Sequence, residues 1–215
     1  MSAALCARDS CAGRNAQPIQ ITAPDDGRKL SGDLCVSPTQ DLSPGILMLN
    51  ADNDAWLDLP LRLQNRGYTV LAMPLRPETS ANTATALGDF QSMIQALAQV
   101  ADPGHLGVVG GEIGADMALA GCAVEPLCDA LVLLTPTNLD IAQNTIIRYN
   151  PRPIYLAVAR DDSTNFGIVE FLRGSARGEV GYDPVEGQSR GALLLQSAPP
   201  LSDRLIEWLG DQLLS

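Results

Sequence analysis

A single carboxylate stands at the most conspicuous turn of this chain. The apolar run at 106–111 ends in Gly110-Gly111-Glu112-Ile113-Gly114 and passes straight into a helix-like pattern. A carboxylate held at such a turn has two chemical uses, as a nucleophile toward carbon or as a base toward water. Asp52, Asp54 and Asp162 are further carboxylates near the ends of apolar runs, and paired carboxylates of different pKa can run acid-base chemistry. The only histidine, His105, lies seven residues before Glu112 on the same strand, roughly 20 Å away at about 3.3 Å per residue, toward the opposite edge of a sheet. His105 is read as a solvent-facing turn residue, and Lys29 is the only lysine, so neither supplies a base beside Glu112.

The elements that would position these groups alternate in type. The stretches 18–24 and 29–38 read as strands joined by Asp25, Asp26 and Gly27, an opening hairpin. Buried strands follow at 45–50, 68–75, 106–111, 130–135 and 153–159. Between them, Trp56, Leu59 and Leu63 mark a helix stopping at Gly67, and Leu87, Phe90, Met93, Ile94, Leu97 and Val100 form one helical face between 82 and 101. Helices are also expected at about 113–123, 138–148, 165–173 and 201–214. Continuous apolar strands alternating with amphipathic helices give an α/β fold, a mostly parallel sheet covered on both faces. One domain is expected at 18–215, after a flexible segment at 1–17.

Composition narrows the partners. The 215 residues carry 14 Lys+Arg against 25 Asp+Glu, a formal net charge of −11, which repels phosphate backbones and anionic lipid surfaces. Nucleic acid and membrane are therefore not expected partners, and the longest apolar runs are strand-sized, below the roughly 20 residues of a membrane span. A soluble protein is expected. The five cysteines contain no CxxC pair, and with one histidine no zinc pattern can be built. Cys6 and Cys11 suit either a disulfide in an exported protein or a tail in a cytosolic one, which leaves the compartment open. Cys122 and Cys128 read as buried thiols, although their spacing across a helix end allows a disulfide.

The element order and four local stations resemble the α/β-hydrolase superfamily, closest to small, cap-poor dienelactone-hydrolase and acylaminoacyl-esterase-like members. The resemblance covers about residues 18–214. In that superfamily a serine sits at the centre of Gly-x-Ser-x-Gly between strand and helix. Glu112 stands where the serine belongs, with Gly110 and Gly114 at the matching glycine positions. Asp162 occupies the place of the triad acid after a late strand. In Glu186-Gly187-Gln188-Ser189-Arg190-Gly191, Arg190 stands where the histidine belongs. In the loop after the first parallel strand, Asn50 replaces the histidine of a His-Gly motif, so Asn50, Ala51 and Ile113 mark the oxyanion-loop stations.

Serine hydrolysis needs a neutral hydroxyl and a base that accepts and returns its proton. Glu112 has no hydroxyl, and Arg190 keeps its proton at any physiological pH. The resemblance therefore implies a hydrolase fold whose serine chemistry is lost, acting as a non-catalytic module for a protein partner or a small ligand. The residues expected to form its charged face are Asp52, Asp54, Arg76 and Arg160, beside Asn50. The alternative is a hydrolase of a small ester, lactone or epoxide using Glu112, as carboxylate nucleophiles serve the related haloalkane dehalogenases and epoxide hydrolases. Because serine and histidine are hydrogen-bonded neighbours in an active triad, Glu112 and Arg190 are expected to form an ion pair, with Asp162 on the far side of the guanidinium.

No cofactor and no metal site are expected. Asp52 and Asp54, with Glu112 and Asp162, lack the glycine and terminal glutamate of an EF-hand loop, and Asp54 reads as a helix N-cap. The glycines at 110–114 lack dinucleotide spacing. Ser189 is read as a loop serine, and Met48, Met73, Met93 and Met117 as core.

Overall fold

The first paired element of the computed structural model, which describes residues 16–39, 42–77 and 83–214, is an antiparallel hairpin. Its strands are β1 (Ala16–Thr22) and β2 (Lys29–Cys35). Six more strands complete one sheet: β3 (Pro44–Asn50), β4 (Thr69–Pro74), β5 (Asp102–Gly111), β6 (Ala130–Leu134), β7 (Ile154–Ala159) and β8 (Val180–Val185). Their spatial order is β1-β2-β4-β3-β5-β6-β7-β8, with β2 antiparallel to β4 and every later pair parallel.

This order fixes where a site can form. From β3 the chain moves to β4 on one side, then crosses back to β5 on the other, so the strand order reverses at β3 and β5. In open α/β sheets the crevice at the carboxyl ends of strands flanking such a reversal is where ligands bind. Asn50 ends β3, and Glu112 directly follows β5.

The helices divide between the two faces. α2 (Thr83–Ala98), α3 (Ile113–Cys122), α4 (Leu139–Tyr149) and α5 (Ser163–Ser175) pack through Phe90, Leu119, Ile146 and Val169 onto Leu47, Val108, Leu131 and Leu156. On the other face, α1 (Leu59–Asn65), α6 (Leu194–Ser197) and α7 (Pro200–Leu213) bring Leu63, Leu194, Leu205 and Leu209 onto Ile46, Met48, Val109 and Val132. Successive side chains of one strand thus enter opposite cores, which is why β3, β6 and β7 are apolar without alternation. Four residues separate β6 from α4, too few for an inserted cap at that crossover.

Several elements differ from the sequence expectation. β8 was not expected, because Val180-Gly181-Tyr182-Asp183-Pro184 is half-buried and has no apolar run. It is the last strand of the sheet, where proline is tolerated and one face of the strand meets solvent. The first helix begins at Leu59. Trp56 lies in a separate 3₁₀ turn (Asn53–Trp56) whose cap is Asp52, not Asp54, since the Asp52 carboxylate accepts the Asp54 amide at 3.0 Å. Cys122 and Cys128 are joined as a disulfide rather than free thiols, their Cα atoms 5.4 Å apart. Cys35 is also disulfide-bonded, while Cys6 and Cys11 lie outside the described residues.

Arg76 departs furthest from its expected place on a recognition face. Its guanidinium, 11% exposed, donates to both oxygens of Asp89 at 2.7 and 2.8 Å, to Asp26 at 2.6 Å and to Asp25 at 3.3 Å. Asp89 is on α2, and Asp25 and Asp26 are in the opening hairpin, so Arg76 ties that hairpin to the helical layer. Burial, with a smaller push from the charges of Asp25 and Asp26, raises the Asp89 carboxyl above its ordinary value, and the Arg76 bonds oppose this. Arg76→Gln leaves Asp89 buried without its cation, and we expect urea denaturation to show a loss of about 3–5 kcal/mol. A loss below about 1 kcal/mol would show that the bridge is incidental.

Candidate functional site

Glu112 occupies a backbone conformation that few residues adopt, with φ 51° and ψ −117°. The turn is enforced from both sides. A Cβ on Gly114 would stand 2.1 Å from the Leu49 carbonyl oxygen on β3, and one on Gly110 would stand 2.4 Å from the Gly114 carbonyl oxygen. Only glycine allows α3 to start this close to the sheet. The Glu112 amide then donates to Leu134 on β6 at 2.9 Å, and its carbonyl accepts from Ala115 and Asp116. The result is a sharp strand-to-helix turn that lifts the side chain at position 112 above the sheet edge, the geometry associated with Gly-x-Ser-x-Gly.

The Glu112 side chain is half-buried and caps nothing, and among the described residues its carboxylate makes no hydrogen bond or ion pair. It lies over Gly191, where an added Cβ would sit 2.8 Å from Glu112 Cγ and 3.2 Å from Oε2. The expected Glu112–Arg190 ion pair is therefore absent. Arg190 is turned instead to Asp162, with Nε 2.6 Å from Oδ2 and Nη2 3.0 Å from Oδ1. One whole edge of the guanidinium is used in this two-point contact, which binds the arginine side-on to the acid.

Asp162 holds its partner rigidly because it is itself held. Its side chain is 2% exposed, it is the N-cap of α5, and Asn165 Nδ2 donates to it at 2.7 Å. Burial would raise its pKa, but the bonds from Asn165 and Arg190 outweigh this and hold the carboxyl below its ordinary value of 3.8. Asn165 was not singled out from the sequence; it stands three residues after the N-cap, where its backbone amide and its side-chain Nδ2 both donate to the Asp162 carboxylate.

The other expected residues scatter around this edge. Asn50 is buried, donates from Nδ2 to the Asp52 carbonyl at 3.1 Å and accepts the Leu75 amide on its own carbonyl, so it shapes the loop. Ala51, Asp52 and Asp54 are exposed, and Ile113 is 42% exposed beside Glu112. Arg160 is half-exposed and pairs with Glu186 at 3.1 Å. His105 is at the other end of β5, half-exposed, with Nδ1 3.0 Å from Asp102 Oδ2. It is far from Glu112, as the strand spacing requires. Among the described residues no group of three His, Cys, Asp or Glu side chains is arranged to hold a metal ion. The cavity between α2, α3 and α4 and the cavity beside α1 and α7 are not lined by Glu112, Asp162 or Arg190.

What the arrangement can do follows from these groups. Arg190 has no lone pair to accept a proton, so the Asp162–Arg190 pair cannot activate a nucleophile. Glu112 is half-buried at the turn, and among the described residues no side chain is hydrogen-bonded to its carboxylate that could act as a base to turn over an ester formed on it.

The chain has the α/β-hydrolase fold. It superposes on the α/β hydrolase GrgF from a Penicillium species with a TM-score of 0.76 at 12% identity, covering 93% of this chain and 99% of that one. A dienelactone hydrolase from Anabaena variabilis matches with a TM-score of 0.68 at 15% identity, covering 93% and 98%. An esterase from Pyrococcus furiosus matches with a TM-score of 0.68 at 16% identity, covering 92% and 90%. No family model matches the sequence, and no curated protein does.

Two measurements test this geometry. Gly114→Ala drives a methyl group against fixed backbone, and we expect a stability loss of roughly 3 kcal/mol in chemical denaturation, or failure to fold. Because the Asp162 carboxyl is held below its unfolded value, its contribution is complete above that value and disappears as pH falls through the folded pKa. Arg190→Gln should therefore move the acid unfolding midpoint to higher pH, and an unmoved midpoint would show that the pair contributes nothing.

Proposed function

We propose that this protein does not catalyse serine hydrolysis and works by binding, using the edge around Glu112 and Arg190 as a recognition face for a protein partner. The observation that carries this reading is the side-on lock between Arg190 and Asp162, which puts a permanent cation where a proton acceptor is required. The surroundings suit recognition. Ile113 and Leu193 are 42% and 48% exposed, and Glu112, Arg160, Asp52 and Asp54 add charge of both signs. Apolar anchors within a charged rim are the composition of a protein interface.

A second reading rests on Glu112 itself. Its carboxylate is unpaired and keeps a strained turn that costs of order 1–3 kcal/mol, as a nucleophile or water-activating base of a small-molecule hydrolase would. Turnover of a panel of short activated esters, lactones and epoxides by the wild type and by Glu112→Gln, prepared identically, separates the two. We expect both proteins to stay at the uncatalysed rate. Turnover that vanishes in Glu112→Gln would overturn the binding-only reading and make Glu112 catalytic.

A further inference from the structure

A groove of about 520 Å³ runs beside the elbow between α2, α3 and α4, away from the Asp162–Arg190 pair. Its floor is α3, from Ile113 next to the elbow to Val124 just beyond the helix end, a run of roughly 16 Å at 1.5 Å per residue. The α3 floor and the α2 wall are largely apolar, while the α4 wall sets Ile141 among Thr137, Asn138, Asn144 and Thr145. The nearly buried Met117 and Ala120 line it from α3, Leu87 from α2 and Ile141 from α4, and Ile113 and Val124 are 42% and 59% exposed at the two ends of the α3 run. Apolar side chains left open at both ends of a concave channel favour a ligand that covers them.

Charge orders the two ends. Arg148, in the last turn of α4, lines the groove at its far end, and among the described residues no carboxylate pairs with it. Arg62, Arg76, Arg160, Arg173, Arg190 and Arg204 each hold a carboxylate, and of the described arginines that hold none, Arg148 is the one that lines this groove. Arg148 is a local attraction for one anionic group, set against the repulsion from the net charge of −11. Two acids also line the groove, both toward its other end. Asp140 is eight residues before Arg148 on the same helix, about 12 Å away. Asp116 is buried and its oxygens are filled by Thr137 N at 2.9 Å, Asn138 N at 3.1 Å and the Thr137 hydroxyl at 2.5 Å, so it fastens the β6–α4 loop.

We propose that this groove binds a single-chain anionic amphiphile, a straight-chain carboxylate of the length of dodecanoate. Its headgroup pairs with Arg148, and its chain lies along α3 toward Ile113, away from Asp140. The orientation follows from the charges, and the chain length from the run of α3. The inference does not rest on the loss of hydrolysis, because the groove and Arg148 are outside the triad stations.

Isothermal titration with dodecanoate and dodecanol, both below their aggregation concentrations, tests it on the wild type, Arg148→Gln and Ala120→Phe. We expect the wild type to bind dodecanoate and Arg148→Gln to bind it about tenfold more weakly, the loss of one ion pair, while dodecanol binds both equally. Ala120→Phe fills the floor and should remove binding of both ligands. No dodecanoate binding by the wild type, or undiminished binding by Arg148→Gln, would overturn the proposal. So would concentration-dependent dimerisation in sedimentation that Ala120→Phe abolishes, since the groove would then be covered by a second copy of the chain.

Discussion

The contact on which this architecture turns is the approach of α3 to the sheet at Gly114, where no Cβ fits beneath the Leu49 carbonyl. Because the helix must begin that close to β3, the residue before it has to reverse the chain with positive φ, and Glu112 takes that conformation at a cost of order 1–3 kcal/mol. Strain of this kind persists only where surrounding structure over-determines it. Here Gly110, Gly114 and the Glu112–Leu134 hydrogen bond do so, and the side chain at 112 is raised at the reversal point of the sheet whatever its chemistry.

Two stations around the elbow follow different logics. Asp162 keeps the role a triad acid would have, since it is buried, ionised and bonded to the residue at the third station. That residue is an arginine, and the fork of its guanidinium meets both oxygens of Asp162. The same geometry explains why Glu112 and Arg190 are not paired. Once Nε and Nη2 are committed to a carboxylate fixed by Asn165, the guanidinium is set by Asp162 and Glu112 settles over Gly191. An aspartate paired to an arginine in this way has no group that accepts a proton from a neighbour at physiological pH.

Most of the fold was legible because its strands are buried on both faces and so read as unbroken apolar runs, as in β3, β6 and β7. β8 was not, because an edge strand with Pro184 and half-exposed side chains carries no such run. At the site, Glu112, Asp162 and Arg190 were singled out through the resemblance to α/β-hydrolase motifs, and the structure puts Glu112 at the strand-to-helix turn and Arg190 on Asp162. Their mutual contacts were not legible, since a one-dimensional pattern does not show which of two carboxylates an arginine will take. Arg76 shows the same limit. It was expected on a charged recognition face, whereas its partners Asp25, Asp26 and Asp89 come from the hairpin and from α2.

The central claim is that the scaffold is intact and only the chemistry at two stations has changed. The most direct measurement is ester hydrolysis by the double variant Glu112→Ser/Arg190→His, with Asp162 retained. Turnover of a short activated ester above the wild-type level, lost again when Asp162→Asn is added, is the predicted result. A double variant that folds with wild-type stability yet stays at the uncatalysed rate would contradict it, since the elbow and the acid would then not stand in catalytic register.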